Sequence, residues 1–145
     1  MGRDKLVGRF HEALDEYVTP RSLGRLWRGV EVVLEQREGI VLQPDITFIV
    51  DGRESIVRDQ VWGPPDMVLE VTSPHTRSGP LDERIAWFSL YGVREYWLVQ
   101  PQKAEVVILE LAHGGVRRRT YFDDITPLRS PLLPDFNRCL GELLV

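Results

Sequence analysis

The order of patterned segments, one helix, three strands, a second helix, then further strands, predicts an α/β or α+β sandwich around a mixed central sheet flanked by helices, with α/β the expected class. Three observations carry this expectation. Leu6, Phe10, Leu14 and Tyr17 recur at helical spacing. The run from Asp66 to Thr72 is apolar on both faces except at its acids, as in a strand covered on both sides. A second helical pattern through Leu81, Ile85 and Phe88 separates that run from the strand Glu95–Val99. The 145 residues suit one domain, residues 1–145.

In order, the first helix is expected from Asp4 to Val18 and stops at Thr19-Pro20. Alternation at Val30, Val32 and Leu34 predicts a strand within Leu26–Leu34, followed by a turn at Arg37-Glu38-Gly39. Pro44 leads into a second strand ending at Val50, rich in β-branched residues, and a charged irregular stretch runs from Asp51 to Trp62. Gly63-Pro64-Pro65 stiffens the entry to the third strand, Asp66–Thr72. Pro80 suits the first turn of the second helix, and Gly92 stops it. After Glu95–Val99, turns at Pro101-Gln102-Lys103 and His113-Gly114-Gly115 make a C-terminal β meander. The leucine-rich tail from Pro127 is expected to pack across the sheet and end in a short helical turn.

Charge and cysteine content narrow the function. With 18 basic and 22 acidic residues the net charge is −4, so a polybasic mode of nucleic-acid binding is excluded and any such contact must be local. All but two of the basic residues, Lys5 and Lys103, are arginine. A lone Cys139 supports neither an internal disulfide nor a cysteine zinc site. With no apolar leader or membrane-length run, the expectation is a cytoplasmic protein with no membrane partner. No Gly-rich phosphate loop follows any strand.

The chemistry lies in acids placed on core strands. Asp45 shares a strand face with Thr47 and Ile49, and Asp66 shares one with Val68, Glu70 and Thr72. A carboxylate buried there needs a cation or hydrogen bonds, and a metal ion would serve. Four residues span about 13 Å of strand, too far for Asp66 and Glu70 to ligate one ion readily. Asp45 and Glu70 could share one if their strands pair at about 4.8 Å. Magnesium suits such a site, since it takes one or two carboxylates and keeps waters. Asp66 is then left for a second metal, an outer role or the strand entry.

The runs PPDMVLEVTSPHTR and RIAWFSLYGVREYWLVQP, preceded by QPDITFIV and followed by SPLLPDFNRCLGELL, resemble the Uma-two family of bacterial proteins. That family belongs to the restriction-endonuclease-like PD-(D/E)XK superfamily, and the resemblance runs from about Val30 to the C-terminus. It implies an αβββαβ core and an endonuclease that uses Mg²⁺ or Mn²⁺ to hydrolyse phosphodiester bonds of DNA. By position it implies Asp45, Asp66 and Glu70 as catalytic, metal-holding acids, and it puts Arg84 where the family usually has a lysine on the helix.

The sequence departs from that pattern. Thr72 stands at the lysine position of E-x-K, and Arg84 cannot deprotonate to act as a base. Pro80 replaces an aspartate usual near the helix start. The chain begins almost at the first helix, without the family's preceding acidic strand; Glu12, Glu16 and Glu35 are candidates to replace its acid, Glu35 foremost. His75 and Arg77, in the loop after Glu70, are candidate substrate contacts, while Arg117-Arg118-Arg119 reads as a solvated strand edge. Trp87, Tyr96 and Trp97 read as packing residues and Cys139 as a core thiol. The alternative to a nuclease is a catalytically silent nuclease fold that binds nucleic acid or a protein. A homodimer fits the fold, but no segment marks its interface.

Overall fold

A computed structural model describes residues 1–72 and 81–145 of the chain. In order, the elements are α1 (Arg3–Val18), β1 (Gly24–Arg28), β2 (Val32–Glu35), β3 (Ile40–Leu42), β4 (Ile46–Val50), β5 (Val61–Trp62), β6 (Met67–Val71), α2 (Leu81–Tyr91), β7 (Glu95–Gln100), β8 (Glu105–Ala112), β9 (Gly115–Phe122) and α3 (Leu140–Leu144). The main sheet has the order β1-β4-β6-β7-β8-β9, and β3-β2-β5 forms a small second sheet. Within the main sheet β6 and β7 run parallel, while all other neighbours are antiparallel. Parallel neighbours need a long crossover, and α2 lies in it. α1, β1, β4, β6, α2 and β7 thus form the αβββαβ core, with β8 and β9 as the meander, in agreement with the fold class expected from the sequence.

Period-two alternation sorts the sheet's side chains into two cores. On one face Ile46, Phe48, Met67, Leu69, Trp97 and Val99 are buried with Leu6, Phe10, Leu14 and Tyr17 of α1, and the tail adds Leu128, Leu133, Phe136 and Leu140. On the other face Ile49, Val68, Tyr96, Leu98 and Val107 pack with Phe88 of α2 and with Val32 and Leu34 of the small sheet. β6 is central and covered on both sides, which explains why its sequence is nearly continuous in apolar residues.

The stretch predicted as one strand from Leu26 to Leu34 is two strands in two sheets. Gly29 breaks it with a left-handed φ of 62°, and its N–H bonds Asp45 O at 3.1 Å, so the chain leaves the main sheet there. The charged stretch after Asp51 contains a 3₁₀ turn at Glu54–Ile56 and the short β5, which pairs with β2 in parallel. β3 is too short for an alternation signal to register. The small sheet is therefore an insertion in which part of the predicted strand, now β2, pairs with two short segments, β3 and β5, that no strand pattern announced.

Candidate functional site

The site starts where β4 and β6 stop pairing. Their register sets Ile46 opposite Leu69, which brings Asp45, one residue before β4, opposite Glu70. β4 offers no further strand partner to Val71, and side chains take over. The Val71 N–H donates to Asp45 Oδ2 at 2.7 Å, and the Val71 carbonyl accepts from Arg3 Nε at 3.1 Å. Arg3 Nη2 also donates to Asp45 Oδ1. One guanidinium on the first turn of α1 therefore bridges a carboxylate and a carbonyl at the end of β6. Burial pushes the Asp45 carboxyl above its ordinary pKa, against the opposing pull of the Val71 N–H and the Arg3 charge.

Glu70 faces α2. Arg84 grips it with two donors, Nε to Oε1 at 3.0 Å and Nη2 to Oε2, and the Tyr96 hydroxyl donates to Oε1. Arg84 is buried, and its guanidinium lies 5.7 Å from the centre of the Phe88 ring, which meets the Tyr96 ring edge-on at 4.9 Å. Burial alone would lower the pKa of Arg84, but the Glu70 charge and its hydrogen bonds hold it above the ordinary value, so Arg84 stays cationic. Burial first, and then the Glu70 charge, raise the Tyr96 phenol far above its ordinary value. Tyr96 is a hydrogen-bond donor here and not a base.

Asp66 stands at the opposite end of β6, about 13 Å of strand from Glu70. Its carboxylate accepts from Val50 N at 2.9 Å and Arg53 Nη1 at 2.8 Å, with Arg94 Nη1 at 3.7 Å. Its carbonyl accepts from the N–H groups of Arg94 and Glu95. The structure thus brings Asp45, Glu70 and Arg84 to one end of β6 and leaves Asp66 tying the loop after β4 to the start of β7. His75 and Arg77 lie outside the described residues. Thr72, at the E-x-K lysine position, donates its hydroxyl to Val99 O at 3.2 Å. The acids considered as replacements sit elsewhere: Glu35 accepts from the Arg37 N–H, Glu16 pairs with Arg138, and Glu12 is exposed on α1.

Sequence reasoning missed two partners of the acids. Arg3 is 42 residues from Asp45, and no local pattern links them. Tyr96 read as a packing residue, although its place beside Val68 in the parallel register puts it on the face of Glu70. That alternation was the available signal. A buried acid, Glu95, was also missed; it accepts from Trp97 Nε1 and Leu132 N, both at 3.0 Å, and fastens the tail to the sheet.

Among the described residues no three His, Cys, Asp or Glu side chains gather as a metal cluster. The donor set at the end of β6 is the Asp45 carboxylate, the Glu70 carboxylate and the Val71 carbonyl. These are the oxygen donors a hard cation takes, and magnesium needs only one or two carboxylates if waters complete its shell. All three already bind a cation: the Arg3 guanidinium spans Asp45 and the Val71 carbonyl, and Arg84 takes Glu70. The residues present therefore fit a divalent ion with few protein ligands. A cavity of about 410 Å³ opens at the Val71 end of β6, lined in part by Gly2, Arg3, Val71, Thr72 and Gln102.

Comparison with known proteins supplies three findings. Residues 3–141 match the Uma2 family, described as "Putative restriction endonuclease". A crystal structure from Anabaena variabilis ATCC 29413, described as "a putative nuclease belonging to DUF820", is similar with a TM-score of 0.79 at 15% identity, over 99% of this chain and 80% of that one. At that identity the likeness speaks for the fold, which is restriction-endonuclease-like. No curated protein matches the chain. Among the described residues no helix is long and apolar enough to cross a membrane.

Proposed function

The chain belongs to the Uma2 family, and from that premise we propose that it is an endonuclease that hydrolyses phosphodiester bonds of DNA with Mg²⁺ or Mn²⁺. The observation that carries the reading is the register of β4 and β6, which sets Asp45 opposite Glu70 at a strand end bordered by a cavity. Asp45, Glu70 and the Val71 carbonyl would hold the ion. When bound, such an ion polarises a phosphate oxygen and lowers the pKa of a water.

The chain's own residues do the positioning. Arg84 and Tyr96 fix the Glu70 carboxylate by three hydrogen bonds, so its orientation is set before any substrate arrives. Arg84 contributes positive charge and orientation, and it takes no proton from water because a guanidinium does not deprotonate in proteins. Thr72 supplies no amine where the superfamily pattern has one. Proton removal from the attacking water thus falls to no lysine of this motif.

The test is cleavage of supercoiled plasmid with Mg²⁺ or Mn²⁺. Glu70→Gln and Asp45→Asn should each lower the rate by at least about a hundredfold, the scale of losing one metal ligand. A rate unchanged by both substitutions would remove the site from the reaction. The second reading, a silent nuclease fold that retains DNA without cutting it, draws on one observation: each acid is already paired with an arginine. DNA retention without cleavage in Mn²⁺, with cleavage appearing in Arg84→Lys, would favour it.

A further inference from the structure

We propose that Arg3 is the resident cation of this site: its guanidinium occupies the oxygens of Asp45 and Val71 and must swing away for a divalent ion to bind. The inference rests on the metal-dependent reading above and assigns that reading a gate.

The geometry is that of a stand-in ion. Arg3 Nε donates to Val71 O at 3.1 Å while Nη2 donates to Asp45 Oδ1, so one planar cation spans a carboxylate and a backbone carbonyl. A second positive charge in the same place would meet direct repulsion, so the two cations exclude each other.

The two arginines of the site differ in their freedom to leave. The Arg84 side chain is 9% exposed and held by both Glu70 oxygens, whereas the Arg3 side chain is 42% exposed. Arg3 opens the first turn of α1, where the helix dipole disfavours a cation, so helix stability does not hold the guanidinium there. The helix itself is anchored by Leu6, Val7 and Phe10, which are buried, and the Arg3 side chain can move without disturbing them. The cavity beside Val71, Thr72 and Gln102 gives it somewhere to go.

Calorimetric titration with Mn²⁺ of the full chain and its variants tests this. Arg3→Met should bind Mn²⁺ roughly tenfold more tightly than the unmodified chain, the worth of one charge-assisted hydrogen bond. Arg3→Lys, which keeps the charge but cannot span both oxygens, should fall between them. Adding Asp45→Asn to Arg3→Met should abolish binding. Equal or weaker affinity in Arg3→Met, with binding still lost on Asp45→Asn, would overturn the gate and leave the metal site standing. No Mn²⁺ binding in any of these proteins would overturn both. Mg²⁺ titration followed by NMR tests the unmodified chain: the Arg3 Nε–H resonance, assigned by its loss in Arg3→Lys, should shift as the ion binds. A resonance unmoved while Mg²⁺ binds elsewhere in the spectrum overturns the gate without any variant.

Discussion

Glu70 and Asp66 sit four residues apart on one strand face, yet their surroundings give them different work. Glu70 is forked by Arg84 and capped by Tyr96 beside the cavity end of β6, whereas Asp66 receives a backbone N–H and two arginines at the other end. Asp66→Ala should therefore cost about 3 kcal/mol in urea denaturation, because it leaves Arg53 and the Val50 N–H without their buried acceptor, while Mn²⁺ affinity stays unchanged. Tyr96 makes a pH prediction with a definite sign. A phenol whose pKa is raised on folding keeps its proton longer in the folded state than in the unfolded state. Its contribution is intact below the ordinary value of 10.0 and is lost as pH climbs above it, since only the unfolded chain ionises there. Ultraviolet titration should show the Tyr96 absorbance appearing only with alkaline unfolding, and Tyr96→Phe should remove that step. Asp45, Asp66 and Glu70 were all legible from strand alternation. The Arg3 partner of Asp45 and the Tyr96 partner of Glu70 were not, because a cation 42 residues away and a hydroxyl 26 residues away are chosen by packing alone.

At the scale of elements, α1, α2, β4, β6 and β7 were legible because each shows a period long enough to count. The small sheet was not, since β3 and β5 have three and two residues. Gly29 hid the end of β1 inside an apparently continuous alternation. Gly24, at the start of β1, carries a constraint that no pattern announces: a Cβ there would lie 2.1 Å from Ile49 O and 2.8 Å from Val50 Cα. Both contacts are to backbone and cannot yield by a rotamer change. Gly24→Ala should thus force β1 off β4 and cost more than about 2 kcal/mol by denaturant unfolding. The site would register it as well, because β1 and α1 are joined by a short turn and α1 carries Arg3.

For the whole molecule, the tail is what completes the core beneath the site. Phe136 lies edge-on to Tyr17 of α1 at 5.8 Å and to Trp97 of β7 at 6.1 Å, so one residue near the C-terminus packs on the helix that begins the chain and on a central strand. Phe136→Ala should lower stability by about 3 to 5 kcal/mol, measured by thermal or urea unfolding, the usual cost of emptying a large buried aromatic site. Local periodicity was enough to determine α1, β4, β6, α2 and β7 in their order and the two acids at their centre, because burial on a sheet face dictates residue type at fixed spacing. Which groups each acid meets was decided only by tertiary structure. Register brought Asp45 opposite Glu70, strand length parted Asp66 from both, and the arrival of α1 at the end of β6 set a guanidinium on the oxygens. Charge pairing depends on distance in space, and a chain encodes that distance only once it has folded.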